Sequence, residues 1–431
     1  MKTLVLAAGE GKRLRPLTEN CPKPMLLIAG KPTLQHVIEN LKSTGLTDFT
    51  IVVGFLKDKI IDYFGTGFDF GVKIKYIEQK KPEGPEDAIL LARSELENEE
   101  EFLIAHADIF SDPTMIKRTI ETHQRLSPEA TISVTLVENP SLYGIVAIDE
   151  EARIQQIIEK PKAGFAPSNF AVTGIYIFKS EIFDHLSESK HLDDAIQSII
   201  TKKGNIFSSV WEKEWVEIRY PWDILRANEF VLKRKLEGKG SFISESAEIS
   251  DEARIRGPVE ISKDTTIKAG AEIVGPCFID ENVYIGTNSL VRAYSSIGKD
   301  SILGYGTEIK NSVIFPRTKV GRLSFIGDSI IGNGVRFRSS IQVSNFPSVE
   351  KLSPEDPKIT MNFQNESIIV PLRKFGAIIG DGTVLENNVS ISPGKKIGRN
   401  SIIMPGCIIE NDVESGTMVS VKQSLEYKKL K

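Results

Sequence analysis

Aliphatic residues recur every six positions through much of the second half of this chain. The unbroken row consists of Ile243, Ile249, Ile255, Ile261, Ile267, Ile273, Ile279, Ile285, Val291, Ile297, Leu303 and Ile309. A period of six matches neither an α-helix nor an ordinary strand. It is typical of a triangular coil, in which three hexapeptides make one turn and every sixth side chain points into a stacked core. The period therefore predicts a parallel β-helix.

The six-residue period slips by one residue and then continues. After the slip the aliphatic positions are Ile314, Val320 and Ile326, and later Ile379, Leu385, Ile391, Ile397, Ile403 and Ile409. A segment from about 346 to 374, rich in Pro, Glu and Asn, breaks the period and predicts a protruding excursion. Repeats of this kind resemble those of left-handed parallel β-helices, with Gly and Asn at the corners.

The first half of the chain has a different pattern, in which short apolar segments alternate with amphipathic ones. Segments 3–6, 48–53, 72–76 and 102–105 are strand-like, whereas 33–43 and 88–97 have helical periodicity. This alternation predicts a Rossmann-like α/β domain with a mostly parallel sheet, which binds ligands at the carboxyl ends of its strands. A helix over 224–236 should link the halves. We expect a first domain over 1–238, the β-helix over 239–420 and a tail over 421–431.

Composition narrows the class of partner and the compartment. The net charge is only -4 and the basic residues form no long run, which argues against nucleic acid. Cys21, Cys277 and Cys407 are far apart and odd in number, which argues against a disulfide framework or a cysteine zinc site. No apolar run reaches membrane-spanning length, and the start is too short for a signal peptide. We expect a cytoplasmic protein with no membrane partner.

A glycine loop loaded with cations follows the first predicted strand. Gly9 and Gly11 have no Cβ, so the backbone can approach a ligand and turn its N–H groups toward oxygen anions. The cations that follow are Lys12, Arg13 and Arg15. A third glycine is missing where a dinucleotide fingerprint needs it, and there is no Walker A loop. The alternatives are a tight turn with surface cations and a loop that binds a nucleoside triphosphate.

The longer string around this loop favours the nucleotide. Residues 7–18 are AAGEGKRLRPLT, residues 21–26 are CPKPML, and GKP at 30–32 precedes an amphipathic segment. This string resembles the signature of sugar-1-phosphate nucleotidyltransferases, and the resemblance continues to about residue 230. It implies that a sugar-1-phosphate attacks the α-phosphorus of a nucleoside triphosphate and displaces pyrophosphate, with Mg²⁺ as cofactor and no covalent enzyme intermediate.

The resemblance also implies roles for single residues at the reacting phosphates. Arg13 matches the arginine that grips the triphosphate, and Lys23 matches the lysine that reaches the reacting phosphates. Asp108 matches a catalytic magnesium ligand. Glu217 stands at the place of the second metal carboxylate, one methylene longer than the family aspartate. Asp223 is expected to start a helix instead.

Other residues are implied to hold the two substrates. The nucleotide-binding residues would be Leu6, Ala8, Gly9, Gly11, Gln79 and Gly84. The residues that bind the hexose-1-phosphate would be Gly144, Glu159, Lys160 and Val172. Because Gln79 and Gly84 occupy places where relatives read a pyrimidine, the expected nucleotide is dTTP or UTP. Segment 168–176 is similar to the strand that walls the sugar pocket of glucose-1-phosphate thymidylyltransferases.

Several residues depart from the family pattern. Ala107 replaces the glycine before the metal aspartate, Pro85 and Glu86 replace Thr and Ala, and Arg219 replaces a glycine. Pro85 lacks an N–H donor and Glu86 adds an anion near a triphosphate. The alternative hypothesis is therefore a non-catalytic relative that binds nucleotide or sugar and regulates a partner.

The domain order resembles bifunctional enzymes that also acetylate an amino-sugar phosphate. All five histidines precede the coil, and Arg322 stands where archaeal-type relatives carry the histidine of the acyl site. Arginine cannot accept a proton, so the general base is missing. Asn345 and Lys351 still match acetyl-site positions, which predicts a vestigial acyl site. We expect the coil to form a homotrimer without acetyltransferase activity, with the bifunctional enzyme as the alternative.

Overall fold

The chain forms two compact units in the computed structural model, which describes residues 1–81, 83–189, 191–347, 358–363 and 366–429. The first unit comprises Met1–Gly11, Asn20–Leu26 and Lys31–Ile218. The second comprises Lys12–Glu19, Leu27–Gly30 and Arg219–Lys431. Within the described residues, none of the helices combines the length and the apolar character that crossing a bilayer requires.

Strands and helices alternate up to residue 236. The strands are β1 (Lys2–Ala7), β2 (Leu27–Ile28), β3 (Lys31–Pro32), β4 (Asp48–Val53), β5 (Lys73–Glu78), β6 (Glu101–His106), β7 (Ile109–Ser111), β8 (Ala130–Leu136), β9 (Gly144–Ile148), β10 (Ile154–Glu159), β11 (Phe170–Lys179), β12 (Ile206–Trp211) and β13 (Trp215–Glu217). The helices are α1 (Thr33–Lys42), α2 (Lys57–Phe64), α3 (Pro85–Leu91), α4 (Arg93–Leu96), α5 (Pro113–Leu126), α6 (Ile182–Ser187), α7 (Leu192–Thr201) and α8 (Pro221–Leu236).

The main sheet of the first unit runs in the order β10-β9-β11-β6-β1-β4-β5, and β8 pairs with β11 and β12. Strands β6, β1, β4 and β5 are parallel, as predicted, so their carboxyl ends meet at one edge. Strands β9, β10 and β11 extend the sheet with antiparallel pairs. The loop between β9 and β10 is too short for a parallel crossover, which explains their direction.

Alternating side chains cover both faces of this sheet. Leu4 and Ile104 pack on one face in a buried cluster that includes residues of α3, α6 and α7. Val5 and Leu103 pack on the other face with residues of α1, α2 and α5. The predicted helix over 88–97 is observed as α3 and α4, which are separated at Ala92 where ψ reaches 0°.

The second unit contains a parallel β-helix, which confirms the fold that the six-residue period predicts. Its short strands form three parallel ladders, and each strand pairs with the strand one turn later. The first ladder consists of Phe242–Ile243, Val259–Ile261, Cys277–Ile279, Ser296–Ile297, Val313–Ile314, Ile330–Ile331, Ala377–Ile379 and Lys395–Ile397. The second consists of Glu248–Ile249, Thr266–Ile267, Tyr284–Ile285, Ile302–Leu303, Lys319–Val320, Arg336–Phe337, Val384–Leu385, Ile402–Ile403 and Met418–Val419. The third consists of Arg254–Arg256, Glu272–Val274, Leu290–Val291, Glu308–Lys310, Phe325–Gly327, Gln342–Val343, Ser390–Ile391 and Ile408–Ile409.

From Ile249 onward, the periodic side chains point into one continuous core. Those from Ile261 to Ile309 are fully buried, whereas Ile243 in the first turn is exposed because only one neighbouring turn covers it. The coil also continues where the period fails. Ile331, Phe337 and Val343 extend the three ladders inside the core. The six-residue rule missed them because Ile331 follows Ile326 after five positions instead of six.

The interruption of the coil lies between Val343 and Ala377. Its described part contains an antiparallel pair of strands, Thr360–Phe363 and Glu366–Ile369. Residues 348–357 of the expected excursion lie outside the described residues. Ahead of the coil, α8 begins one residue after Tyr220. The carboxylate of Asp223 accepts hydrogen bonds from the N–H groups of Arg219 and Tyr220, which confirms Asp223 as a helix-start residue.

Candidate active site

A cavity of about 320 Å³ lies at the carboxyl ends of β1 and β6 in the first unit. Its lining residues are Leu6, Ala7, Ala8, Gly9, Lys23, Pro24, Gln79, Gly84, Pro85, Ala88, His106, Ala107 and Asp108. Those already predicted for catalysis or nucleotide binding are Leu6, Ala8, Gly9, Lys23, Gln79, Gly84 and Asp108. The strand order brings them together because β1, β4, β5 and β6 end at the same edge of the sheet.

Lys23 and Asp108 form a direct ion pair in this cavity, although they are far apart in the chain. Lys23 begins a short 3₁₀ turn, and Asp108 follows the end of β6. Their side chains are only 19% and 12% exposed, respectively. A charge this far from water needs a partner. Each of the two side chains therefore offsets the burial of the other, and the pair puts a cation beside a carboxylate at the sheet edge.

The backbone of the second predicted metal ligand, Glu217, lies near that of Asp108 through a separate pair of strands. β13 pairs with β7 in antiparallel register, so that Glu217 lies opposite Ile109. The N–H of Ile218 donates to the carbonyl of Asp108 over 3.1 Å. The backbones at Asp108 and Glu217 are therefore close neighbours.

The donor set suits Mg²⁺ provided that the substrate supplies the other ligands. Carboxylate oxygens are hard ligands of the kind this ion prefers, and it usually keeps only one or two from protein beside phosphates. Among the described residues, no group of three or more His, Cys, Asp or Glu side chains could hold a metal ion. Asp108 and Glu217 are the two carboxylates that the sequence predicts as metal ligands.

The amide of Gln79 is oriented by two acceptors on neighbouring residues. Its Nε2 donates to the carbonyl of Gly84 and to the carboxylate of Asp87, both over 2.9 Å. Because both partners are acceptors, the nitrogen must face them and the carbonyl oxygen must face away. Gln79 is therefore a fixed side chain whose remaining hydrogen-bonding group is an acceptor.

The departures Pro85 and Glu86 fit the start of α3. Pro85 occupies the first helical position, where its missing N–H breaks no helical bond. The carboxylate of Glu86 folds over Gly84, so that a Cβ on Gly84 would lie 2.2 Å from a Glu86 oxygen. Glu86 also lies 3.6 Å from Nδ1 of His191. Ala107, the third departure in this region, is buried in the cavity wall.

The residues predicted to bind the hexose meet on β9, β10 and β11. Gly144 is paired with Glu159 across β9 and β10. A Cβ on Gly144 would lie 2.8 Å from a Glu159 oxygen and 3.1 Å from a methyl group of Val172. Lys160 forms an ion pair with Glu159 over 2.7 Å. A side chain at position 144 would therefore collide with the Glu159 carboxylate, and glycine avoids this.

The remaining residues of the glycine loop divide between the two units. Gly11, with φ of 66°, ends the first segment of the first unit. Arg13 belongs to the second unit, where its guanidinium lies 5.2 Å from the centre of the Tyr220 ring. Arg13 therefore has a cation–π partner in the structure.

The coil residues predicted to form a vestigial acyl site serve different local contacts. Arg322 is exposed, and its carbonyl accepts a hydrogen bond from the Ser340 N–H. The Asn345 amide donates to the carboxylate of Asp328, which also accepts from Asn311 over 2.8 Å. These three side chains, Asn311, Asp328 and Asn345, form a column along one corner of the coil. Lys351 lies outside the described residues.

Among the polar side chains that line the cavity, sequence reasoning overlooked His106. It is the last residue of β6, and its Nε2 is buried without a hydrogen-bond partner among the described residues. The signal available in the sequence was a polar residue at the end of an otherwise apolar strand, two positions before Asp108.

Comparison with known proteins agrees with this geometry. The model of the Nucleotidyl transferase family matches residues 2–234, and that of the GMPPB C-terminal domain matches residues 273–381. The chain belongs to the nucleotidyl transferase family. The resemblance drawn from the glycine loop is thereby confirmed, and so is the Rossmann-like fold of the first unit.

Relatives of this family member match over its full length. It is 34% identical over 439 residues to the Bifunctional protein GlmU of Methanocaldococcus jannaschii, with 100% of both chains covered. It is 33% identical to a Bifunctional sugar-1-phosphate nucleotidylyltransferase/acetyltransferase of Sulfurisphaera tokodaii, over 98% of this chain and 100% of the relative. The crystal structure of a UDP-glucose pyrophosphorylase complexed with UDP-glucose covers 54% of this chain and 98% of its own, with 27% identity and a TM-score of 0.50.

Proposed function

We propose that the first unit transfers a uridylyl or thymidylyl group from UTP or dTTP to a hexose-1-phosphate and releases pyrophosphate. The observation that carries this proposal is the single cavity that gathers Gly9, Lys23, Gln79 and Asp108. Membership of the nucleotidyl transferase family supports the type of reaction. The structural neighbour that binds UDP-glucose supports a uridine nucleotide and a hexose.

The reaction needs positioning and charge neutralisation rather than a protein nucleophile. The sugar phosphate oxygen attacks the α-phosphorus in line with the leaving pyrophosphate, and negative charge builds on the oxygens of the transferred group. Gly9 lets the backbone approach those oxygens, and the ammonium group of Lys23 lies in the same cavity to stabilise the charge. Asp108 holds that ammonium group through their ion pair.

Asp108 and Glu217 are the residues that would hold Mg²⁺, supported by their neighbouring backbones on β7 and β13. The ion, when bound, neutralises charge on the phosphate oxygens. Lys23, at the same carboxylate, adds a positive charge that does not depend on the metal.

The fixed amide of Gln79 supports a pyrimidine with an imide N–H. Its free group is a carbonyl oxygen, which can accept from N3–H of uracil or thymine. Cytosine and adenine present an acceptor nitrogen at the corresponding ring position and would be rejected. On the other side of β6, the group formed by Gly144, Glu159 and Val172 offers a carboxylate for hexose hydroxyls, with Lys160 for the sugar phosphate.

The deciding experiment is pyrophosphate release from a panel of nucleoside triphosphates and hexose-1-phosphates with Mg²⁺. We expect turnover with UTP or dTTP and little with CTP or ATP. A folded protein that releases no pyrophosphate from any pair would instead favour the non-catalytic, regulatory relative. R13A in the same assay tests the role that the sequence assigns to Arg13.

We further propose that the coil oligomerises and does not transfer acetyl groups. Arg322 cannot act as a general base, and the Asn345 amide is engaged with Asp328. The relatives named as bifunctional favour the opposite outcome. Incubation with acetyl-CoA and glucosamine-1-phosphate or galactosamine-1-phosphate separates the two, because release of free thiol that saturates with the sugar would establish acetyl transfer. Light scattering should report a trimer.

A further inference from the structure

His106 is a polar side chain of the cavity wall to which the proposed reaction gives no task. Its Nε2 is buried and has no hydrogen-bond partner among the described residues. Leaving such a group unpaired is costly, and buried polar groups are normally paired with protein, ordered water or a ligand. A partner that arrives with the substrate would satisfy it.

The imidazole ring of His106 is held in place by β11. Gly174 on that strand has φ of 83°, and a Cβ there would lie 3.0 Å from Cγ and Nδ1 of His106. Glycine therefore allows the backbone to pack directly against the ring. The Tyr176 ring lies 6.1 Å away, centre to centre. The imidazole is thus restrained where it borders the cavity.

The strand order shows which part of a substrate His106 would meet. Gln79 follows β5, on the nucleotide side of the edge, and Gly144 lies on β9, on the hexose side. His106 ends β6, which lies between these strands in the sheet order β9-β11-β6-β1-β4-β5. In a nucleotide sugar, the ribose and the phosphates lie between the base and the hexose. His106 would therefore meet the ribose, the phosphates or the edge of the hexose nearest to the phosphates.

Hydroxyl groups suit this side chain well. A neutral imidazole has one donor and one acceptor nitrogen, and a hydroxyl can serve either of them. Phosphate charge already has the ammonium of Lys23 beside Asp108. The ring hydroxyls of the ribose and the hexose therefore remain as the best-matched partners.

We propose that His106 hydrogen-bonds a ring hydroxyl of the bound substrate, on the ribose or on the hexose, and so determines which sugar the site accepts. The inference rests on the proposed nucleotidyl transfer and names a specificity residue for it. The ribose and the hexose both present ring hydroxyls. Substrates that lack one hydroxyl each show which of the two sugars His106 contacts.

The test combines H106L with substrates lacking one hydroxyl each. UTP is compared with 2′-deoxy-UTP and 3′-deoxy-UTP, and glucose-1-phosphate with its 2-, 3-, 4- and 6-deoxy forms. In the wild-type protein, removal of the contacted hydroxyl should lower kcat/KM about tenfold. H106L should show a similar loss on the parent substrate and no further loss on that one analogue. H106Q keeps a donor and an acceptor. It should therefore restore part of the ratio of kcat/KM for the parent substrate to kcat/KM for that analogue.

The comparison of parent with analogue is made within each variant, so a smaller folded fraction does not affect it. H185L is the matched control, because His185 bonds Ser198 away from the cavity and its loss should leave every ratio unchanged. The inference is overturned if H106L lowers kcat/KM equally for all parents and analogues.

Failure of nucleotidyl transfer itself would be recognised separately. If the wild-type protein releases no pyrophosphate from any pair of substrates, the proposed function fails. Calorimetric titration with UDP-glucose then tests whether His106 contacts the bound sugar nucleotide. Weaker binding to H106L than to the wild-type protein and H185L would support the contact. Equal affinity in all three would overturn it.

Discussion

The coil and the α/β unit differ in how far apart in the sequence their contacting residues lie. In the coil, each residue packs against equivalents one turn away, so that Ile279, Ile297 and Ile314 form one stack. In the α/β unit, the cavity joins Gly9, Lys23 and Asp108 from well-separated segments. A repeated local pattern is therefore enough to predict the coil, whereas the site depends on the order of strands in a sheet.

The largest expected effect tests the long-range assembly of the cavity. K23A should lower turnover by roughly two to four orders of magnitude, because it removes the cation that stabilises charge on the transferred phosphate and leaves Asp108 without that partner. K31A is the control, since Lys31 pairs with Glu39 outside the cavity. Steady-state pyrophosphate release measures both. Unchanged turnover in K23A would remove Lys23 from the mechanism.

The second test concerns Asp108 and Glu217, whose backbones are brought close together where β13 pairs with β7. D108N should lower turnover by about two orders of magnitude or more and raise the Mg²⁺ concentration needed for half-maximal rate, because it removes a charged oxygen ligand. E217Q should show the same direction with a smaller effect. Isothermal titration of Mg²⁺ into the nucleotide-bound protein measures the affinity without turnover. If D108N binds the metal as tightly as the wild-type protein, the assigned ligand is wrong.

The third test asks whether the six-residue period correctly identifies the side chains that point into the core of the coil. It compares two adjacent residues of one strand. Leu303 points into the core and is fully buried, whereas Ile302 is 38% exposed on the outside. L303A should lower the free energy of unfolding by about 2–5 kcal/mol through lost burial and a cavity. I302A should cost less than about 1 kcal/mol. Urea denaturation followed by circular dichroism measures both, and equal costs would contradict the inward and outward assignment.

The sequence predicted the parts of the molecule that local chemistry controls. The period located the buried aliphatic side chains up to Ile326, and it failed at Ile331 only because the turn there is one residue shorter. The family signature named Gln79, but the partners that orient its amide, Gly84 and Asp87, required the fold. His106 escaped notice because nothing in the sequence shows that β11 packs a glycine against its ring.

The same limit applies to His123, a buried histidine that the sequence left without a role. It lies on α5, where its Nδ1 is 2.9 Å from the hydroxyl of Thr131 on β8 and its Nε2 is 3.0 Å from the carboxylate of Glu101 on β6. Burial lowers the pKa of His123 below its ordinary value of 6.5, although the charge of Glu101 acts in the opposite direction. Tertiary packing thus gives this residue a property that its local sequence does not indicate.

The smallest expected effect follows from that lowered pKa. As the pH falls below about 6.5, the unfolded chain binds a proton at His123 more readily than the folded protein, so the contribution of His123 to stability is present above this pH and is lost below it. Lowering the pH from 7.5 to 5.5 should therefore lower the urea midpoint of the wild-type protein more than that of H123Q. The comparison should be made for the transition reported by Trp211 and Trp215, which belong to the first unit. H185Q is the control, because it replaces a histidine that is only half-buried and is bonded to Ser198. If the urea midpoints of H123Q and H185Q change equally with pH, protonation of His123 is not measurably linked to folding. The long-range packing around His123 would then have no measurable effect on the pH dependence of stability.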